Sequence, residues 1–141
     1  MATIDRVSQI NCIIFKPEGI SYKFLVLKRW EDRGGFWQPM TGGVKEGEEQ
    51  IGAVKRELME ETGINEYRKI INLKYSFSFC LPHLGELTEN VYAVEVSPHA
   101  EIVLSPEHTE YRWVDFEEAL GLIKYETNKE GFRKTWKILG R

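Results

Sequence analysis

Glu57, Glu60 and Glu61 stand at i, i+3 and i+4, a spacing that puts three carboxylates within about a 100° arc if the segment is helical. The surrounding residues ask for a helix. Ile51, Val54 and Leu58 recur three and four apart as an apolar face, and Gly63 stands where a left-handed C-terminal cap belongs, so a helix is expected over residues 49–62. Like charges on neighbouring turns repel by roughly a few tenths of a kcal/mol per pair. These also crowd the helix C-terminus, where the macrodipole disfavours negative charge. Divalent cations that seek oxygen offset both costs: Mg2+ takes carboxylate and carbonyl oxygens, keeps several waters and bridges to phosphate. The bland alternative is a solvated acidic face. The context argues against it, because a Gly42-Gly43 turn leads in, Glu48 enters the helix nine residues before Glu57, and Arg56 can tie carboxylates down by bidentate hydrogen bonds.

The rest of the chain reads as interleaved strands and helices. Residues 8–16 and 22–29 form apolar, β-branched runs around Pro17-Glu18-Gly19, which predicts a hairpin with Tyr22, Phe24, Val26 and Lys28 on one face. Residues 30–35 read as a loop, 36–39 as a short extended piece and 41–48 as turn-rich. Strands are expected over 67–80, 89–96 and 111–114. Asp115 with Glu118 and Thr127 with Glu130 both have the capping-box form, so a helix is expected after each, the last with Phe132, Trp136 and Leu139 as its apolar stripe. Such interleaving predicts an α/β fold, a mixed sheet flanked by helices, in one domain over residues 1–141.

Composition removes several classes. With 141 residues, 42% of them hydrophobic, the chain can bury roughly two thirds of its unfolded surface without disulfide staples. Cys12 and Cys80 make no CxxC pair and read as buried, reduced thiols. The longest apolar runs are short and the start has no basic-then-apolar pattern, which points away from a membrane span or secretory signal and toward a cytoplasmic protein. A net charge of −3 argues against binding nucleic-acid polymers by bulk charge. A polyanionic small molecule stays open if metal supplies the neutralising charge.

The helix segment resembles the signature of the Nudix hydrolases, G-x5-E-x7-R-E-U-x-E-E-x-G-U with U a bulky aliphatic. It matches at Gly42, Glu48, Arg56, Glu57, Leu58, Glu60, Glu61, Gly63 and Ile64. The resemblance implies an alpha/beta/alpha sandwich and hydrolysis of a nucleoside diphosphate linked to another group, with Mg2+ or Mn2+. It implies metal ligation by Glu57 and Glu61, ligation or water positioning by Glu60, a metal contact from the Gly42 carbonyl, and an orienting role for Glu48 and Arg56. Either Glu57 or Glu60 would take the proton of the attacking water. The late S-x-E-H-x-x-Y-R-W stretch resembles the loop by which nucleotide-cleaving relatives add a ligand, which selects Glu107 first and Glu110 second.

At the substrate end, Trp30, Phe36 and Trp37 are expected to stack on a planar ring and Arg29 to pair with phosphate. The Trp-Gln run resembles both the dATP/dihydroneopterin triphosphate pyrophosphohydrolases and the asymmetric dinucleoside tetraphosphate hydrolases, and the C-terminal stretch looks closer to the first. The expected reaction is therefore cleavage of a nucleoside or related triphosphate to monophosphate and pyrophosphate, by a monomer or homodimer. Dinucleoside polyphosphate or ADP-sugar hydrolysis is the alternative, and a noncatalytic nucleotide-sensing module a further one.

Overall fold

Alternation along the first strand decides the architecture. In the computed structural model, which describes residues 7–83 and 85–140, β1 (Val7–Glu18) sends Ile10, Cys12 and Ile14 to one side and Ile13 and Phe15 to the other. A strand buried on both faces must be central. β1 pairs antiparallel with β2 (Ser21–Arg29), Phe15 opposite Phe24, and parallel with β6 (Gly85–Glu95), Ile13 opposite Ala93. β3 (Trp37–Gln38) and β5 (Lys69–Leu81) complete the path β3-β2-β1-β6-β5, while β4 (Met40–Gly43) pairs with β1 and β7 (His108–Val114) with β2. The sheet is mixed, as the interleaved pattern required.

One face of the sheet packs on α1 (Gln50–Thr62) through Ala53, Val54 and Leu58. The other packs on α2 (Phe116–Leu122) and α3 (Glu126–Ile138), with Phe24, Ala119 and Phe132 buried together. The result is an alpha/beta/alpha sandwich.

Four local expectations change. Ile51 lies in the first turn of α1 and is 37% exposed, because the inward stripe runs through Val54, Leu58 and Glu61 instead. Residues 41–43, read as turn, belong to the strand Met40–Gly43, since backbone pairing of Gly42 with Ile10 needs no side chain. α3 starts before Thr127: the Tyr125 carbonyl accepts from the Asn128 and Lys129 N–H groups at 3.0 Å, and the Thr127 carbonyl takes the Tyr75 hydroxyl at 3.0 Å. Cys80 is exposed on the outer strand β5, whereas Cys12 is buried; both are free thiols. Asp115 caps α2 as its sequence promised, its carboxylate accepting from the Glu118 N–H at 2.8 Å.

Candidate active site

Strand β4 and helix α1 meet where Gly42 faces Glu57. A Cβ built on Gly42 would collide with the Glu57 carboxyl group, so only glycine lets that side chain lie against the strand. Arg56 then organises the acids around it. Its Nε and Nη2 grip Glu48 Oε2 and Oε1, both at 2.9 Å; Nη1 reaches Glu57 at 2.7 Å and Glu60 at 3.1 Å; Nη2 also donates to the Gly43 carbonyl at 2.7 Å. A guanidinium has five N–H donors, and all are spent here. The Arg56 hydrogen bonds, helped by the Lys45 N–H, lower the Glu48 pKa to about 2. Burial pushes Glu57 the other way, above its ordinary value, against the pull of Arg56.

A second set of contacts strings the late loop to the end of α1. The last carbonyls of a helix lack intrahelical partners; here the Thr62 carbonyl accepts from Val103 N–H at 2.8 Å and the Glu61 carbonyl from Ser105 N–H at 3.1 Å. That brings Ser105 Oγ within 2.7 Å of Glu61 Oε2, to which it donates. Glu107, two residues on, shares a hydrogen bond with the Glu61 carboxyl. Burial, then the Glu107 contact, pushes Glu61 up to about 7, while accepting from Glu61 draws Glu107 down. Burial makes Glu61 the carboxyl of the pair that keeps its proton, and that proton is what Glu107 accepts.

His108 closes the cluster from β7. The Gln38 side-chain amide donates to its Nε2 at 3.1 Å, which leaves the ring proton on Nδ1, 3.8 Å from Glu61 Oε2. Burial lowers the His108 pKa, so the ring is neutral.

Glu57, Glu60, Glu61 and Glu107 line one cleft of about 310 Å3 with Gly42 and His108. Arg29 and Arg33 face the same cleft, the only cations among its described lining residues. The expected substrate residues divide. Arg29 borders this cleft and a neighbouring hollow, Phe36 lines that hollow edge-to-face with Tyr125 at 5.5 Å, and Trp30 is half exposed with its Nε1 donating to the Pro106 carbonyl at 2.7 Å. Trp37 does neither: β-strand alternation sends Gln38 to the cleft and Trp37 to the α2/α3 side, where the Arg112 guanidinium covers its ring at 4.8 Å. Glu110 is also elsewhere, half exposed beside Arg112 at 3.7 Å.

The chain has known relatives. A NUDIX domain model matches residues 5–135. The chain belongs to the Nudix hydrolase family. Over 133 residues it is 36% identical to an octanoyltransferase of Myxococcus xanthus, a match that takes in 91% of this chain and 35% of that protein, so the chain spans about a third of its length. The dihydroneopterin triphosphate diphosphatase of Escherichia coli strain K12 is 29% identical over 124 residues, covering 79% of this chain and 81% of its own. An RNA pyrophosphohydrolase of Bartonella henselae is 31% identical over 139 residues, covering 83% and 80%. Among solved structures, a Nudix hydrolase from Listeria monocytogenes superposes with a TM-score of 0.82 at 27% identity over 94% of this chain and 93% of that one. The E. coli dihydroneopterin triphosphate pyrophosphohydrolase does so with 0.79 at 26% identity over 93% and 95%.

Nudix hydrolases use divalent metal ions, and the cleft residues suit one. Four carboxylates, Glu57, Glu60, Glu61 and Glu107, line the cleft, and carboxylate oxygens are what hard cations take. Among the described residues no three His, Cys, Asp or Glu side chains are placed to hold a metal ion by themselves. An open wall of oxygens is what an ion needs when it keeps waters and shares its remaining positions with phosphate. Among the described residues no helix is long and apolar enough to cross a membrane.

Three parts of this site escaped the sequence. Ser105 from the late loop and Gln38 from β3 hold Glu61 and His108 in place, and Arg33 joins Arg29 through the short 3-10 turn Glu31–Arg33. The Ser-x-Glu-His spacing was the sole signal for the first; nothing local marks the others.

Proposed function

We propose that this Nudix domain, acting as one unit in the cytoplasm, hydrolyses a nucleoside triphosphate or closely related triphosphate to the monophosphate and pyrophosphate. The observation that carries this reading is the convergence of Glu57, Glu60, Glu61 and Glu107 on one cleft that also holds Arg29 and Arg33. In it, Glu57, Glu60, Glu61, Glu107 and the Gly42 carbonyl would hold Mg2+ or Mn2+. When bound, the ion supplies charge neutralisation for the phosphates and acidifies the attacking water.

The chain's own residues do the rest. Arg56 fixes Glu48, Glu57 and Glu60 in one orientation before substrate arrives, so no reorganisation is needed at the moment of reaction. Glu57 or Glu60 takes the proton as a water oxygen forms its bond to phosphorus and the bond to the pyrophosphate oxygen breaks. Arg29 and Arg33 pair with the departing pyrophosphate, which carries the larger negative charge. Phe36 and its aromatic neighbours hold the ring of the nucleoside or pterin.

Support for a triphosphate comes from the E. coli relative, which matches over most of both chains. The test is product analysis with Mg2+ across the (d)NTPs, dihydroneopterin triphosphate, a dinucleoside tetraphosphate, ADP-ribose and 5′-triphosphate RNA. Release of pyrophosphate from a small triphosphate is the expected result. Release from RNA alone, or orthophosphate as the sole inorganic product, would overturn it, and tight binding without any release would identify a sensor module.

A further inference from the structure

Next to the carboxylate cleft, and sharing Gln9, Arg29, Gln38 and Thr41 with it, lies a hollow of about 590 Å3 between β5, β6 and the start of α3. Its aromatic lining comes from Phe77 and Phe79, stacked at 6.4 Å and 23°, and from Phe36 and Tyr125. Such surfaces accept any flat ring and discriminate poorly. Discrimination needs polar groups of fixed sense, and the hollow has them in Glu89 and Asn128.

Glu89 is only 8% exposed, and Asn11 beneath it is 1% exposed. Asn11 Nδ2 donates to Glu89 Oε1 at 2.9 Å and to Asn128 Oδ1 at 3.0 Å. An amide nitrogen has two hydrogens, so both are used, and the polarity of both neighbours is fixed. Asn128 has its oxygen turned inward and keeps its Nδ2 donors for the hollow. Glu89 offers Oε2, which has no hydrogen-bond partner among the described residues and is not sealed from solvent. The relay is maintained against a cost: Asn11 Oδ1 is buried without a partner, and a buried unpaired acceptor is destabilising. An apolar residue at position 11 would avoid that cost but would leave Glu89 Oε1 and Asn128 Oδ1 without their donor. The lining thus presents a carboxyl acceptor beside a neutral donor.

We propose that this hollow selects the amino–imino–oxo edge shared by guanine and pterin rings, with Glu89 accepting from the amino and ring N–H groups and Asn128 donating to the ring carbonyl oxygen. Guanine and pterin place two donors and one acceptor side by side, which complements that order. Adenine places a ring-nitrogen lone pair where the second donor should be, facing the Glu89 carboxylate, and has no oxygen for Asn128. A site built to receive a ring N–H rejects analogues that lack it, since its own buried groups are then left unpaired.

This inference deepens the proposed function by naming the ring, and it is testable without hydrolysis. Isothermal calorimetry on the full chain with Mg2+ compares GMP, dihydroneopterin monophosphate and AMP. We expect at least one of the first two to bind at least about tenfold more tightly than AMP, and the tighter of them identifies the ring source. Glu89→Gln replaces one acceptor oxygen by a donor and should reduce the preference to about threefold or less. Asn128→Asp, in the first turn of α3, should weaken GMP and pterin binding without touching the strand. It serves as the deciding variant if Glu89→Gln lowers the melting temperature sharply. AMP binding as tight as both others, or a preference unmoved in a folded variant, would overturn the inference. Pyrophosphate release with no ring preference sinks the subsite alone; ring preference with no release from any triphosphate sinks the proposed reaction alone.

Discussion

Arg56 holds Glu48 through two parallel hydrogen bonds, Nε to Oε2 and Nη2 to Oε1, each 2.9 Å long. The pair forms the base of the carboxylate wall, because the same guanidinium reaches Glu57 and Glu60 on the side facing the cleft. Lysine carries the same charge on three donors around a point and cannot reproduce a planar fork. Arg56→Lys is therefore expected to lower turnover about 10–100-fold, the usual cost of losing a group that orients metal-binding side chains. Circular dichroism should show the helix intact. Steady-state rates within about twofold of wild type would show that the fork is dispensable.

Gly42 offers a sharper steric test. Its backbone is not in the left-handed region, so alanine brings no conformational strain, yet an added Cβ meets the Glu57 carboxyl group. Gly42→Ala should displace that carboxylate and cut Mg2+-dependent turnover by at least about tenfold. A Gly43→Ala variant is the control, since a Cβ there meets nothing within 4 Å. Equal rates for the two variants would mean that Glu57 does not need its place against β4.

Much of this arrangement was legible in the chain and some was not. The carboxylate spacing on α1 and the Gly63 cap are local, set by helix geometry, and the structure has them where the spacing put them; Gly63 adopts φ 73°. Period-two alternation likewise fixed Phe24 and Val26 on one face of β2 and Leu25 and Leu27 on the other. Trp37 failed because the same alternation, in a strand of two residues, carried too little pattern to say which face was which. Ser105 meeting Glu61, 44 residues apart, and Asn11 meeting Asn128, 117 apart, depend on loop closure and sheet order. No local pattern encodes either.

Glu57→Gln and Glu61→Gln each remove a charge from the wall while keeping side-chain size. Each should lower turnover by about two orders of magnitude or more, as loss of a group acting on the reacting centre does. In Glu61→Gln, Ser105 can still donate to the side-chain amide oxygen, so the far-ultraviolet spectrum should not change. Near-wild-type rates in both would remove the mechanism proposed above.

Glu61 also makes a prediction for the metal-free protein. Burial, with the Glu107 hydrogen bond, raises its pKa from 4.5 to about 7. The native state then holds this proton more tightly than the unfolded chain does, so raising the pH through that window favours unfolding. In EDTA, wild-type melting temperature should fall relative to Glu61→Gln as pH rises from about 4.5 to about 7, and the gap should level off above that. A gap that stays constant, or closes with rising pH, would contradict the shared-proton arrangement of Glu61 and Glu107.

Adding Mg2+ should reverse that loss. An ion that binds only the folded carboxylate cluster stabilises by RT ln(1 + [L]/Kd), about 2.7 kcal/mol at a hundredfold excess over Kd. For a chain of this size that corresponds to a melting-temperature rise on the order of 5–10 °C. The rise should grow with pH, because the ion must displace the proton shared by Glu61 and Glu107 before it can use their oxygens. Glu57→Gln and Glu61→Gln should each shrink it, since each removes an anionic ligand, whereas Glu110→Gln should leave it unchanged, its carboxylate lying half exposed beside Arg112. Calorimetric melting of the four proteins, with and without Mg2+ at two pH values, separates these cases. A shift equal in all four would place the ion outside the cleft between α1 and the loop that carries Glu107.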